Sequence, residues 1–330
     1  MAMKNYTEKK EKENLETMQA ILNHLPSFVS EFSRGINAAN STKLGYIYDI
    51  RLFFEFLEEK KIAYIKSLSD LEKIKAEHIE VFLENSNNKA VSKSRKLSAL
   101  RRLYDYFIKK EKIKNNPANI VETPKIPQKN ITKLDVDEIA RLLDSVEDGE
   151  NLTKTQKNYH SHTKIRDLAI ITLLLGTGLR LSECIGIDIN HINFEQNAIL
   201  ITRKGGNEDI VYFSQEVERA LKDYLKERLE KKTAQGHENA FFLSMQNKRI
   251  GARTVQNLIK KYTKIFNLKN ISTHKLRSTY GTNLYRETGD IYLVAAVLGH
   301  KDVNTTRKHY ATMDEDRKKQ AAKIVKLRED

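Results

Sequence analysis

Cysteine is almost absent, since the 330-residue chain has only Cys184. A single cysteine excludes an internal disulfide framework and fits a reducing compartment. A lone cysteine usually behaves as a small apolar residue, so we predict that Cys184 is buried in a core.

Long apolar runs are absent too. The longest, residues 168–175, is interrupted by Thr172, and a membrane-spanning helix needs about 20 apolar residues. The N-terminus has no apolar segment of the kind that a signal peptide requires. We therefore expect a soluble protein of the cell interior.

Proline is scarce and unevenly placed: three of the four prolines fall in residues 114–130. Proline removes a backbone donor and disfavours helix in the residue before it, so this segment is predicted to be an extended linker. Before it, residues 1–17 predict a flexible, at most loosely helical start, and residues 18–113 a helical domain. After it, residues 131–330 predict a second, mostly helical domain.

Acidic residues are too few to balance the basic ones, with 44 Asp and Glu against 58 Lys and Arg, a formal charge of +14. This excess favours a polyanionic partner. It is concentrated on a predicted helix over residues 90–110, where Asp105 is the one acid. A charge run is usually a solvated face, but here the near-absence of acids favours phosphate contact. The predicted contacts are Lys93, Arg95, Arg101 and Arg102.

The segment from Ser272 to Tyr310 carries most of the chemistry. His274 and Arg277 are three residues apart, so on a helix they share a face and can bind one small anion. His300 and Tyr310 follow. A neutral tyrosine is a poor nucleophile unless cations surround it.

Two upstream motifs complete the pattern. The first is Thr177-Gly178-Leu179-Arg180-Leu181-Ser182-Glu183, and the second is Thr202-Arg203-Lys204-Gly205-Gly206, in the turn of a predicted β-hairpin. Together with the later segment, they resemble the tyrosine recombinases, also called the phage integrase family. The family's six functional residues occur in its order, as Arg180, Lys204, His274, Arg277, His300 and Tyr310.

The resemblance implies a mainly α fold with a small β-hairpin or sheet. It implies an N-terminal helical core-binding (SAM-like) domain that contacts DNA, joined to a C-terminal catalytic domain. The implied reaction cuts and rejoins double-stranded DNA at a specific site through a 3′-phosphotyrosine, with no cofactor, metal ion or ATP. The implied assembly is a homotetramer on two DNA sites, in the cytoplasm and nucleoid of a bacterium.

The resemblance also assigns roles. Arg180 and Arg277 would hold the non-bridging oxygens of the scissile phosphate, and Glu183 would orient Arg180. Lys204 would protonate the leaving 5′ oxygen; its neighbour Arg203 is a poor proton donor because arginine stays protonated. His274 and His300 would donate hydrogen bonds to the phosphoryl group.

Tyr310 is the predicted nucleophile. Tyr280 and Tyr285 continue the helix of Arg277 and are expected to pack, and Tyr292 opens an apolar run and is expected in or near a core. The chain departs from the family pattern at Ser278, where a second histidine is common. The interval from His300 to Tyr310 is also one residue longer than usual.

The layout favours a Xer-type recombinase that resolves chromosome or plasmid dimers, alone or with a paralogous recombinase. An integrase or transposase of a mobile element is the alternative within the family. A catalytically dead DNA-binding regulator and a type IB topoisomerase-like enzyme are alternatives outside that role. The tail after Tyr310 has apolar residues at helical spacing, and the resemblance implies that it docks on a neighbouring protomer.

Overall fold

A computed structural model of the chain describes residues 2–86, 89–125, 133–150, 152–203, 206–265, 271–299 and 303, without the side chains of residues 2–9 and 265. The chain divides into two compact units. One comprises residues 4–129, and the other comprises residues 130–330 together with residues 1–3. None of the described helices is long and apolar enough to cross a membrane.

The N-terminal unit is entirely helical in its described part. Its helices are α1 (Ala2–Leu22), α2 (Ser27–Gly35), α3 (Asn40–Glu59), α4 (Leu68–Glu72), α5 (Ala76–Asn85) and α6 (Ala90–Lys109), followed by a 3₁₀ turn, Pro117–Asn119. Helix α1 is longer than the loosely helical start that the composition predicts. Phe32, Phe53 and Phe107 are fully buried in the single core that these helices enclose.

Helix α6 confirms the predicted apolar face. An amphipathic helix buries the residues that recur every three or four positions, and five such residues of α6 have no exposed surface. They are Leu97, Leu100, Leu103, Tyr104 and Phe107. The opposite face carries most of the basic residues, whereas Lys96 is buried.

The C-terminal unit combines seven described helices with a small sheet. The helices are α7 (Val136–Asp148), α8 (Lys154–Thr177), α9 (Leu181–Gly186), α10 (Gln215–Glu230), α11 (Ala252–Ile265), α12 (Thr273–Thr288) and α13 (Ile291–Leu298). The strands β1 (Ile192–Asn193), β2 (Ala198–Thr202) and β3 (Glu208–Tyr212) are antiparallel in that order. The predicted hairpin is therefore present, with Leu200 opposite Ile210.

Helix α8 is longer than the sequence predicts. The polar composition of residues 145–163 is typical of a loop, yet the helix begins at Lys154. The Thr153 hydroxyl accepts from the Gln156 amide, and the Gln156 side chain accepts from the Thr153 amide, a capping box that starts the helix. One buried polar group of this stretch has a tertiary partner, because His160 Nδ1 lies 3.0 Å from the Tyr262 hydroxyl.

Cys184 is fully buried on α9, as predicted. Burial raises the pKa of its thiol to about 12. It is a packing residue of the C-terminal unit.

Candidate active site

Arg180 and Glu183 form a pair at the start of α9. Gly178 ends α8 in the left-handed region, at φ 64°, and Arg180 then adopts an extended backbone as the N-cap of α9. The Glu183 carboxylate accepts from the Arg180 backbone N–H at 2.7 Å and from its Nη1 at 2.8 Å. The Glu183 side chain is 2% exposed and that of Arg180 is 32% exposed. The buried carboxylate therefore orients a guanidinium that solvent can still reach.

Arg277 is buried on α12, with 4% of its surface exposed. Its Nη1 donates to the Gly178 carbonyl at 2.6 Å, and its Nη2 donates to the Leu298 carbonyl. These two bonds tie α12 to the end of α8, next to Arg180, and to the end of α13. The two arginines predicted to share one phosphate are thus anchored on adjoining turns.

The C-terminal end of α13 is where the arginines meet. The last carbonyls of a helix have no partner within the helix and lie at the negative end of its dipole. Three successive carbonyls there each accept from a different guanidinium. These bonds are Arg203 Nη2 to Val297 at 3.0 Å, Arg277 Nη2 to Leu298, and Arg180 Nη2 to Gly299 at 3.1 Å.

Arg203 also belongs to this cluster, although the sequence identifies it only as a competitor of Lys204 for the role of general acid. It follows strand β2, and its side chain is 11% exposed. In the sequence, its position beside Lys204 in the motif is the one feature that indicates a place in the site. Its long-range partners, Glu183 and Val297, are 20 and 94 residues away in the chain.

His274 lies in the first turn of α12, one helical turn before Arg277, and is exposed. The helix begins after Ser272, whose hydroxyl accepts from the Lys275 amide. Ser278, which stands where a second histidine is common in the family, donates from its Oγ to the His274 carbonyl at 3.1 Å. The expected helical face of His274 and Arg277 is therefore present.

The competing tyrosines differ from one another. Tyr285 is buried, and Tyr280 packs in the same apolar cluster with Val294 and Leu298. Burial raises the pKa of Tyr280. The expectation for Tyr292 is wrong, because it is 71% exposed: α13 is short and turns its first residues towards solvent. Lys204, His300 and Tyr310 lie outside the described residues, and so does the tail after Tyr310.

The basic face of α6 is less uniform than its sequence. Arg95 pairs with the fully buried Asp49. Arg101 is half-buried, and it donates to the Ala118 carbonyl at 3.0 Å, the Val121 carbonyl at 2.7 Å and the Thr123 hydroxyl at 2.9 Å. The guanidinium of Arg101, which the sequence assigns to phosphate, thus also holds the segment after α6.

Arg102 is exposed and Lys93 is half-buried on the same helix. Of the four predicted phosphate contacts, the side chains of these two form no hydrogen bond or ion pair within the part of the chain that the structure describes. Arg102 and Lys93 remain the stronger candidates.

Comparison with known proteins defines the class. Residues 132–317 match the phage integrase family, and residues 25–111 match the "Phage integrase, N-terminal SAM-like domain". The chain belongs to the phage integrase family of tyrosine recombinases. Its fold is the mainly helical one expected from the resemblance, with a SAM-like N-terminal domain and a C-terminal catalytic domain.

Two curated relatives carry the same name. The chain is 33% identical over 317 residues to "Tyrosine recombinase XerC" of Caldanaerobacter subterraneus, covering 90% of this chain and 85% of the relative. It is 31% identical over 271 residues to "Tyrosine recombinase XerC" of Escherichia coli O157:H7, covering 81% and 84%.

Two solved structures share the fold. A "XerH site-specific recombinase bound to palindromic difH substrate" has a TM-score of 0.66 at 23% identity, covering 87% of this chain and 81% of the other. The "Tn1549 transposon Integrase" in complex with circular intermediate DNA has a TM-score of 0.66 at 19% identity, covering 89% and 97%.

Proposed function

We propose that this protein is a Xer-type recombinase that cuts and rejoins DNA at a specific site, with Tyr310 as the nucleophile. The observation that carries the proposal is the convergence of Arg180 and Arg277 around Gly178 and the end of α13, with Glu183 orienting Arg180. These residues come from α9 and α12, and their proximity supports a phosphate site built on the two cations that the family chemistry needs.

The arginines would stabilise a pentacoordinate phosphorane. Charge develops on its non-bridging oxygens, and each donor already placed there is worth on the order of a hundredfold or more in rate. Arg180 is partly exposed and can reach a phosphate, whereas Arg277 is held by two carbonyls. A DNA phosphate would therefore compete with the Gly299 carbonyl for Arg180 Nη2.

Tyr310 would lose its phenolic proton to solvent and attack the scissile phosphate, forming a 3′-phosphotyrosine as the bond to the 5′ oxygen breaks and that oxygen leaves with a proton from Lys204. A positioned general acid contributes roughly 10²- to 10⁴-fold. His274 and His300 would donate hydrogen bonds to the phosphoryl oxygens. The 5′ hydroxyl of a partner strand then attacks the phosphotyrosine and restores the tyrosine. One ester is exchanged for another of similar energy, so the reaction calls for no ATP, metal ion or other cofactor.

Double-stranded DNA is the proposed partner, bound by both units. The charge of +14 and the exposed Arg102 on α6 support it. The XerC relatives, at 31–33% identity over most of the chain, favour dimer resolution over a mobile-element role. A transposon integrase with the same fold keeps the alternative open. Recombination of two sites on one plasmid, without other element-encoded factors, would support the Xer role.

The central test traps the covalent intermediate. A duplex site is first selected by binding from a random pool and is then nicked, so that the short fragment beyond the cut diffuses away after cleavage. Wild type should give a DNA-shifted band, with the adduct mapped to the peptide containing Tyr310. Tyr310→Phe should bind equally and trap nothing.

Tyr292→Phe is the matched control, because Tyr292 is exposed on α13 in the same unit. It should trap DNA as wild type does. An adduct on Tyr280, Tyr285 or Tyr292, or covalent product from Tyr310→Phe, would identify a different nucleophile.

A homotetramer on two sites is the proposed working assembly, with residues 316–330 as the connector between protomers. Deleting them should spare binding to a half-site and abolish pairing of two sites, measured by gel shift and by plasmid recombination. Recombination at the normal rate by the truncated chain would rule out this connector.

A further inference from the structure

Arg203 lies at the base of the hairpin turn between β2 and β3, and it immediately precedes Lys204 in the sequence. Its backbone N–H donates to the Asn207 carbonyl at 2.7 Å, and its carbonyl accepts from the Gly206 amide at 3.1 Å. The backbone of Arg203 is thus fixed where β2 ends and the turn to β3 begins. A shift of this residue would move the turn with it.

The side chain of Arg203 bonds to three different parts of the C-terminal unit. Nε donates to Asp209 at 2.9 Å on β3, Nη1 approaches Glu183 at 3.4 Å on α9, and Nη2 donates to the Val297 carbonyl at 3.0 Å on α13. The planar fork of arginine suits several acceptors at once, which one ammonium group cannot match. Glu183 is the same carboxylate that orients Arg180.

Gly299 shows how closely this guanidinium is packed. Gly299 has φ +60°, and a Cβ there would lie 2.9 Å from Arg203 Cζ. Glycine is therefore required both by the left-handed backbone and by the presence of the guanidinium. Arg203 occupies the space beneath the residue that immediately precedes His300.

We propose that Arg203 is a positioning residue for the general acid, an inference that rests on the proposed function. It holds the hairpin end before Lys204 against α9 and α13, where Arg180 and Arg277 are anchored. Lys204 is the residue next to this anchor in the sequence, and Arg203 itself takes no part in proton transfer, because arginine stays protonated.

The test distinguishes a misplaced general acid from a general loss of structure in the active site. Cleavage by the full-length chain is measured on two versions of the selected nicked duplex. One has the ordinary scissile phosphodiester, and the other has sulfur in place of the bridging 5′ oxygen. A thiol is far more acidic than an alcohol, so a thiolate leaves without a proton donor. The variants are Arg203→Met, Arg203→Lys and Arg203→Ala, with the exposed Arg219→Met on α10 as the matched control.

Misplacement of a reacting group by about 1 Å can cost 10²-fold in rate. We expect Arg203→Met and Arg203→Ala to cleave the ordinary substrate about 10- to 100-fold more slowly, with DNA affinity within about twofold of wild type. Arg203→Lys should fall between. On the sulfur substrate all three variants should regain most of the lost cleavage rate. Arg219→Met should cleave both substrates at the wild-type rate.

Asp209→Ala provides a second variant if those at Arg203 do not fold, because Asp209 is 45% exposed and bonds Nε from the neighbouring strand. It should cleave the ordinary substrate a few fold more slowly than wild type and regain most of that rate on the sulfur substrate. Equal losses on both substrates, or no loss at all, would overturn the inference. A wild-type protein that traps neither substrate would instead refute the proposed function, and this inference with it.

Discussion

The structure predicts that two adjacent arginines of α6 have different roles, one in stability and one in DNA binding. Arg101 donates to Ala118, Val121 and Thr123, whereas Arg102 is exposed. The perturbation is Arg101→Ala, compared with Arg102→Ala one residue away. The first should destabilise the N-terminal unit, and the second should weaken DNA binding.

The magnitude follows from the bonds removed. A hydrogen bond to a charged group contributes about 1.5–3 kcal/mol, and a buried acceptor left without a partner costs about as much. Ala118 and Val121 are buried, but Arg101 itself is half-exposed. We therefore expect Arg101→Ala to lower the free energy of unfolding by about 3 kcal/mol, less than the sum over the three hydrogen bonds. For a unit of this size that lowers the melting temperature by roughly 10 °C.

The assays are thermal unfolding and a salt titration of binding to the selected duplex, the latter well below the unfolding temperature. Each lost phosphate contact lowers the slope of log K against log salt by about 0.9. Arg101→Ala should keep the wild-type slope, and Arg102→Ala should lose about one unit while melting like wild type. A one-unit loss for Arg101→Ala without destabilisation, or an unchanged slope for Arg102→Ala, would refute this division.

Two further predictions concern the C-terminal unit. Gly178→Ala should lower the unfolding free energy of this unit by about 2–4 kcal/mol, because Gly178 has φ +64° and a Cβ would lie 2.5 Å from Tyr280 Cδ1. It should also slow DNA cleavage, because the Gly178 carbonyl holds Arg277. Calorimetry measures the first effect and the nicked-duplex assay the second, and an unchanged melting temperature would contradict the prediction. Burial, followed by nearby Lys261, lowers the pKa of His160 below 6.5 in the folded state. Its contribution to stability is therefore present above pH 6.5 and lost as pH falls through the folded-state pKa, so wild type should lose more melting temperature than His160→Gln between pH 7.5 and 5.5. Equal losses would show that His160 does not carry this pH dependence.

Local patterns predicted the features that depend on neighbours in the chain. The periodicity of α6 determined which of its residues enter the core, because side chains three and four positions apart share a helix face. The glycines and β-rich runs around Arg203 predicted the hairpin. The order of motifs from Arg180 to Tyr310 predicted the family, which comparison with known proteins then confirmed.

Only the tertiary structure decided what each charged or polar group bonds to. Arg101 and Arg102 are equivalent in the sequence, yet one holds the segment after α6 and the other is exposed. The sequence could not show that Arg203 joins Arg180 and Arg277 on successive carbonyls of α13. The physical reason is that hydrophobic periodicity is a local property. Arg180, Arg203 and Arg277 each donate to a carbonyl left unpaired at the end of α13, and only the folded chain brings these groups together, across distances of up to 119 residues.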